Sequence, residues 1–401
     1  VDTEYGGLLC DFDRRWRPCG PHEKLLEFQA RQTWLAADLL RVAPGNEHVR
    51  KAVQHGFRFL REVMWDQRSG GWFHRVRRTG EPLEAHTKHV HGVAYAISAC
   101  AAVYTATRDP SALTLAQEGF AWIDQFAHDD RYGGYFGFLR REGTVIREPA
   151  QNPLHEPVDT IGTPIGLKDA NVHSDLLEAF GDLYSVWRDD RVAQRLHEAI
   201  DIMARRMQPP SHVLCFFCHP DWTPAPHLMR YGSAFQTASR LLSARHAADD
   251  AAAQVDNARR LVDHCVRHAW DGRRGGFFFA SPHSPPINLE GQDLIVRAKS
   301  WWVQVEAIKA LLALSRTVDD GEPYDRYFRA QWRFLRRFML DEQYGGIYSY
   351  GFDDLPRLQR RLGAGFAPAH LTRKGDAWKD GSHDGRAWLF CAATLRTPQM
   401  R

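Results

Sequence analysis

Apolar residues along this chain recur mostly at three- and four-residue spacing, the pattern of helices with one or more buried faces. Lys168–Tyr184 shows the layout most clearly. Lys168, Asp169, Asn171 and His173 come first, and Leu176, Leu177, Phe180, Leu183 and Tyr184 follow at helical spacing. Such a helix buries its C-terminal body and presents its first turn to a pocket or to solvent. Asp169 suits the N-cap. The electropositive helix start biases His173 toward its neutral, basic form.

The same spacing predicts helices over Glu27–Val42, Glu47–Trp65, Lys88–Thr107, Pro110–Phe126, Asn171–Trp187 and Arg191–Met207. It continues over Ser233–Ala247, Ala251–Trp270, Lys299–Val318, Pro323–Leu340 and His383–Leu395. The longest apolar run, Val93–Ala106, is too short to span a bilayer and reads as a buried helix.

A turn signature separates these helices in pairs. Two glycines flanked by aromatic residues occur at Gly6-Gly7, Gly70-Gly71, Gly133-Gly134, Gly275-Gly276 and Gly345-Gly346, with a degenerate copy at Val213–Phe217. The spacing makes six units of roughly 65 residues, an internal repeat. The glycines suit tight turns at positive φ, and the aromatic residues suit short hairpins. Six helical hairpins, one of their twelve helices short or absent, predict an all-α chain closed as an (α/α)6 barrel, one domain over 1–401, with short β-hairpin loops. An open solenoid would want distinct capping repeats, and none is evident. Inner helices should be apolar nearly all round, as in Lys88–Thr107, and outer ones amphipathic, as in Arg191–Met207. The barrel pocket would lie over the polar ends of the inner helices. Residues 142–166, rich in proline, precede the His173 helix and suit a pocket wall or lid.

Composition narrows the function. A net charge of +3 on 401 residues, without a lysine-rich run, points to neither nucleic acid nor an anionic membrane. Seven cysteines without a framework read as thiols of a reducing, cytoplasmic compartment. Cys215-Phe216-Phe217-Cys218-His219 has the form of a haem attachment, but it has aromatic fillers, lies mid-chain and has no companion. His86, His89 and His91 match no common metal spacing. No metal or cofactor is expected.

Polar residues sit at the starts of the inner helices, where a core helix should not carry them: Arg31, His91, Tyr95, Ser233, Gln236, Trp301, Trp302, Glu306, Trp378 and His383. The stretches Phe28-Gln29-Ala30-Arg31-Gln32-Thr33-Trp34, Asn171-Val172-His173 and Lys299-Ser300-Trp301-Trp302-Val303-Gln304-Val305-Glu306-Ala307 carry a resemblance, as do Lys374, Trp378, Lys379 and His383. Together they resemble the N-acylglucosamine 2-epimerase superfamily over essentially the whole chain.

The resemblance implies an (α/α)6 barrel and metal-free interconversion of reducing sugars through a cis-enediolate. Reprotonation at C2 would give the epimer, and at C1 the ketose. It makes His383 a catalytic acid/base, His173 a helper in ring opening and proton transfer, and Arg31 the cation for the enediolate oxygens. Trp301, Trp302, Trp378 and Glu306 would line the sugar subsite; the polar residues Asp169, Asn171, His91, Tyr95, Ser233 and Gln236 are further candidates for binding the substrate. The implied partner is a small sugar, bound by a monomer or homodimer.

One departure stands out. The family's Gly-His-x-x-Glu motif reads Gly232-Ser233-Ala234-Phe235-Gln236 here, so a His and the Glu that orients it are both replaced. Changed chemistry of hydrolase or lyase type, using Asp169, Glu306, Asp380 or Asp384, is one alternative. A non-catalytic carbohydrate-binding protein is the other.

Overall fold

The computed structural model describes residues 1–84, 86–209, 213–281, 296–353 and 369–396. The backbone forms two compact units. The first takes Val1–Cys10, Pro21–Met207 and Phe217–Ala225; the second takes Asp11–Gly20, Gln208–Phe216 and Pro226–Arg401.

In the first unit, α1 (Leu26–Val42) pairs with α2 (Glu47–Phe59), α3 (Val90–Thr107) with α4 (Pro110–Phe126), and α5 (Ala170–Val186) with α6 (Asp190–Asp201). Helix α3 packs against both α1 and α5. It can do so because small and apolar residues cover it: Val93, Ala94, Ile97, Ala99 and Ala101 are all buried. Helices α2 and α6 bury only a stripe, through Val53, Phe57 and Phe59 on one and Val192, Leu196 and Ile200 on the other. Both end in a wider π-helical turn, Leu60–Met64 and Ile202–Arg206.

In the second unit, α7 (Tyr231–Ala244) pairs with α8 (Ala251–Ala269), and α9 (Trp301–Thr317) with α10 (Glu322–Phe338). Helix α9 also packs against α7 and against α11 (Gly381–Arg396). The helices fall where the periodicity placed them, to within a few residues at each end.

A two- or three-residue antiparallel strand precedes each of α1, α3, α5 and α7. In the first unit β1 (Lys24–Leu25) pairs with β2 (Arg75–Val76), β3 (Thr87–His89) with β4 (Phe138–Arg140), and β5 (Lys168–Asp169) with β6 (Phe217–Cys218). In the second, β7 (Met229–Arg230) pairs with β8 (Ala280–Ser281). The hairpins at the double glycines shrink to single bridges such as Trp65 with Trp72 and His128 with Tyr135.

The repeat has a specific physical cause. Each glycine pair closes a turn begun by an aspartate four residues earlier: Asp2, Asp66, Asp129, Asp271 and Asp341. The first glycine N–H donates to the aspartate carbonyl, and the aspartate N–H donates to the second glycine's carbonyl. Both glycines take φ between +65° and +80°, which a side chain would resist.

A buried lysine then locks each turn. Lys168 donates to Gly133 O at 2.6 Å and to Asp129 at 2.7 Å. Lys299 donates to Gly275 O at 2.8 Å and to Asp271 at 2.7 Å. Lys24, Lys88 and Lys374 do the same to Gly6, Gly70 and Gly345, beside Asp2, Asp66 and Asp341. An ammonium without solvent is tolerated because a carboxylate and carbonyls replace its water.

The inner helices also share a register. Counted from the first residue of each helix, the sixth is Arg31 in α1, Tyr95 in α3, Asp175 in α5, Gln236 in α7, Glu306 in α9 and Arg386 in α11. All six are polar, and the first five are buried. A buried polar side chain needs a partner, and these positions carry the candidate chemistry.

Candidate active site

Helix α5 supplies the first result. Asp169 caps it, with Oδ1 accepting from the Val172 N–H at 2.9 Å and Oδ2 from the Thr163 hydroxyl at 3.0 Å. Burial raises the Asp169 carboxyl above its ordinary range. His173 is buried, and both of its ring nitrogens are taken by backbone. Nδ1 lies 2.8 Å from Asp169 O, so it carries the proton, and Nε2 accepts the Tyr135 N–H at 3.0 Å. Burial pushes this imidazole down to about 4. Burial, more than the helix start, therefore favours the neutral form. The expected role in proton transfer does not follow: His173 is a fixed strut between α5 and the Gly133-Gly134 turn. Asp169, expected against the sugar, is likewise committed to its cap.

Two residues further along α5, Asp175 belongs to a buried polar chain. Tyr95 donates to Asp175 Oδ1 at 2.8 Å, and Asp175 Oδ2 lies 3.0 Å from His91 Nε2. His91 Nδ1 lies 2.8 Å from Glu27 Oε1, which also meets His74 Nε2 at 3.2 Å. Burial alone would lower His91. The hydrogen bonds and charges of Asp175 and Glu27 outweigh it and hold the imidazole up at about 9. His74, between Glu27 and Glu84, is held at about 9 in the same way against its burial. Burial would raise the Glu27 carboxyl, but the two imidazoliums hold it well below its usual range. The Arg31 guanidinium lies 4.0 Å over the Tyr95 ring, a cation–π contact.

The segment 142–166 is pinned against the same helices. Asp159 Oδ1 accepts from the Ile161 and Thr163 N–H groups, and Oδ2 meets His89 Nε2 at 2.9 Å. His89 and His91 thus turn to separate carboxylates. Asn171 sits half-buried on the first turn of α5.

The second unit holds a different cluster. His383, on the first turn of α11, directs Nδ1 at Glu306 Oε1, 2.8 Å away on α9. Its ring lies 6.4 Å from Trp301 and 5.9 Å from Trp302. Burial would raise Glu306, but Lys309, His383 and Arg240 hold its carboxyl below the ordinary range. Among the described residues, the buried Trp301 Nε1 and Glu306 Oε2 have no hydrogen-bond partner. Lys379 is buried and donates to Lys374 O at 3.0 Å. Asp380 accepts from the Ser382 N–H at 2.8 Å, a cap for α11. Burial raises the Asp384 carboxyl. Trp378, expected in the subsite, is 40% exposed. Ser233 and Gln236 are buried on α7. A Cβ on Gly232 would fall 2.1 Å from the Trp302 ring, so this glycine lets the indole approach α7.

The cysteines of the haem-like motif are buried thiols, and burial pushes Cys215 up to about 11.

The profile of the N-acylglucosamine 2-epimerase (GlcNAc 2-epimerase) family matches residues 7–359. The chain belongs to this family.

A cellobiose 2-epimerase of Bacteroides fragilis is 24% identical over 351 residues, 86% of this chain and 84% of that protein. The structure of the cellobiose 2-epimerase of Spirochaeta thermophila superposes with a TM-score of 0.82 at 24% identity, over 98% of this chain and 91% of that one. A D-mannose isomerase superposes with a TM-score of 0.80 at 19% identity, over 98% and 93% of the two chains. The shared fold is the (α/α)6 barrel.

This member of the N-acylglucosamine 2-epimerase family has an imidazole–carboxylate pair in α11 and α9, and Ser233 and Gln236 on α7. The residues that sequence reading missed are Glu27, His74 and Asp175. For Asp175 a signal existed: it interrupts an apolar run at the register of Arg31, Tyr95, Gln236 and Glu306. Glu27 and His74 gave none, because their importance lies in contacts distant along the chain.

Proposed function

We propose that this family member interconverts reducing sugars by moving a proton at the carbon next to the aldehyde, through a cis-enediolate, with His383 as the acid/base. The observation that carries this reading is the 2.8 Å pairing of His383 with Glu306 beside Trp301 and Trp302. A carboxylate at Nδ1 fixes the tautomer and leaves Nε2 for substrate, as general acid–base catalysis requires. The indoles offer flat apolar faces suited to a sugar ring. Trp301 Nε1 supplies a donor and Glu306 Oε2 an acceptor for hydroxyl groups. The relatives named cellobiose 2-epimerase and mannose isomerase support an aldose, free or at the reducing end of a disaccharide. With Ser233 and Gln236 in place of a second dyad, one base carries the proton on one face of the enediolate.

The deciding measurement is deuterium incorporation at C2 in D2O with mannose, glucose, N-acetylmannosamine and cellobiose. The intact protein should label at least one of them, and His383→Asn should slow labelling by about 10²–10⁴-fold. No label in any sugar rejects the reading.

A further inference from the structure

Sugar isomerisation needs an open chain, so some group must open the ring before the proton at C2 can move. His173, which the resemblance suggests for this step, is bound at both nitrogens by backbone. Asp175, two residues away, instead occupies the register shared by Arg31 and Tyr95 and ends a buried chain of contacts: Glu27 to His91 at 2.8 Å, His91 to Asp175 at 3.0 Å, and Tyr95 to Asp175 at 2.8 Å. An imidazole with a carboxylate at each nitrogen carries a proton on each. His91 is therefore a fixed cation behind Asp175, and Asp175 is an oriented acceptor for the Tyr95 proton.

We propose that Glu27, His91, Asp175 and Tyr95 form a proton relay that opens the sugar ring, with Tyr95 meeting the substrate. This rests on the reading of the chain as a sugar isomerase. The C1 hydroxyl proton passes to the Tyr95 oxygen as the Tyr95 proton moves to Asp175 Oδ1. The bond between C1 and the ring oxygen breaks, and C1 becomes a carbonyl. The ring oxygen takes a proton from Tyr95, which recovers its own from Asp175. The relay ends as it began. His91 and Glu27 are positioning residues: the imidazolium holds Asp175 in place and Glu27 holds the imidazolium. The charged and titratable groups around His91 are Glu27 and Arg31 from α1, His74 and Glu84 from the segment around β2, His89 from β3 and Tyr95 from α3. Among the described residues, Asp169 from β5 and Asp175 from α5 also act on it.

Ring opening has its own readout, the interconversion of anomers, followed by exchange NMR on glucose and mannose beside deuterium uptake at C2. The intact protein should speed interconversion over buffer. Asp175→Asn and Tyr95→Phe should each lose about 10²-fold of that acceleration, with the far-UV spectrum retained in at least one of them. Glu27→Gln should move the alkaline limb of the interconversion profile to lower pH, a shift that a merely structural role would not produce. Interconversion no faster than buffer with the intact protein overturns the relay. So does a folded Asp175→Asn or Tyr95→Phe variant within twofold of it. If C2 never labels but interconversion depends on Asp175 and Tyr95, the relay stands and the isomerase reading fails.

Discussion

His383 Nδ1 and Glu306 Oε1 lie 2.8 Å apart, joining α11 to α9 across 77 residues of sequence. The pairing gives the ring one defined tautomer. Glu306→Gln keeps the shape and removes the charge that stabilises an imidazolium. C2 labelling should fall by roughly 10²-fold or more, with little change in melting temperature. Labelling within threefold of the intact protein would show that the carboxylate does not serve His383.

Ser233 and Gln236 stand one turn apart on α7, both buried. Placing Ser233→His and Gln236→Glu in one chain adds a second base with its own carboxylate. The double variant should raise the share of 2-epimer over ketose among the products, read by NMR of the sugar mixture. An unchanged product ratio would argue that α7 does not set the stereochemical outcome.

Lys168 is buried with Asp129, Gly133 O and Pro220 O around its ammonium. Lys168→Met leaves the Asp129 carboxylate without its cation. Breaking a buried pair on one side costs about 3–5 kcal/mol, so urea unfolding should shift by that order. Removing the exposed Arg329–Asp325 pair by Arg329→Gln should cost under about 1 kcal/mol. Similar costs for the two would refute the lysine lock as the basis of the repeat.

Stability should peak between mildly acidic and neutral pH. His74 and His91 are held at about 9, above the ordinary 6.5, so the folded state binds their protons more tightly. Their contribution is complete below 6.5 and is lost as pH rises through 9. His173 has the opposite sign. Its folded value of about 4 lies below 6.5, so stability falls as pH drops from 6.5 toward 4. A melting temperature flat from pH 4 to 9.5 would contradict both assignments.

Much of the fold was legible because helical periodicity and doubled glycines are local signals. Val93, Ala94 and Ile97 mark α3 as an inner helix without any knowledge of its neighbours, and Gly133-Gly134 marks a turn. The lysine beside each turn was visible as a letter, but not as a lock, because Lys168 and Gly133 are 35 residues apart. The candidate site was read in part. Arg31, His91, Tyr95, Glu306 and His383 stood out as polar residues in apolar helices. His173 stood out for its imidazole and Asp175 was passed over, and burial takes His173 below the ordinary titration range.

The sequence by itself determined the helices, their pairing and the period of the turns, because each follows from the chemistry of residues close along the chain. Only the tertiary structure decided which polar side chains are spent on the scaffold and which face other functional groups. His173 lost its second nitrogen to the Tyr135 N–H, and Asp175 gained Tyr95 and His91. Partners that arrive from distant segments set the protonation and orientation of a buried group, and no local pattern records them.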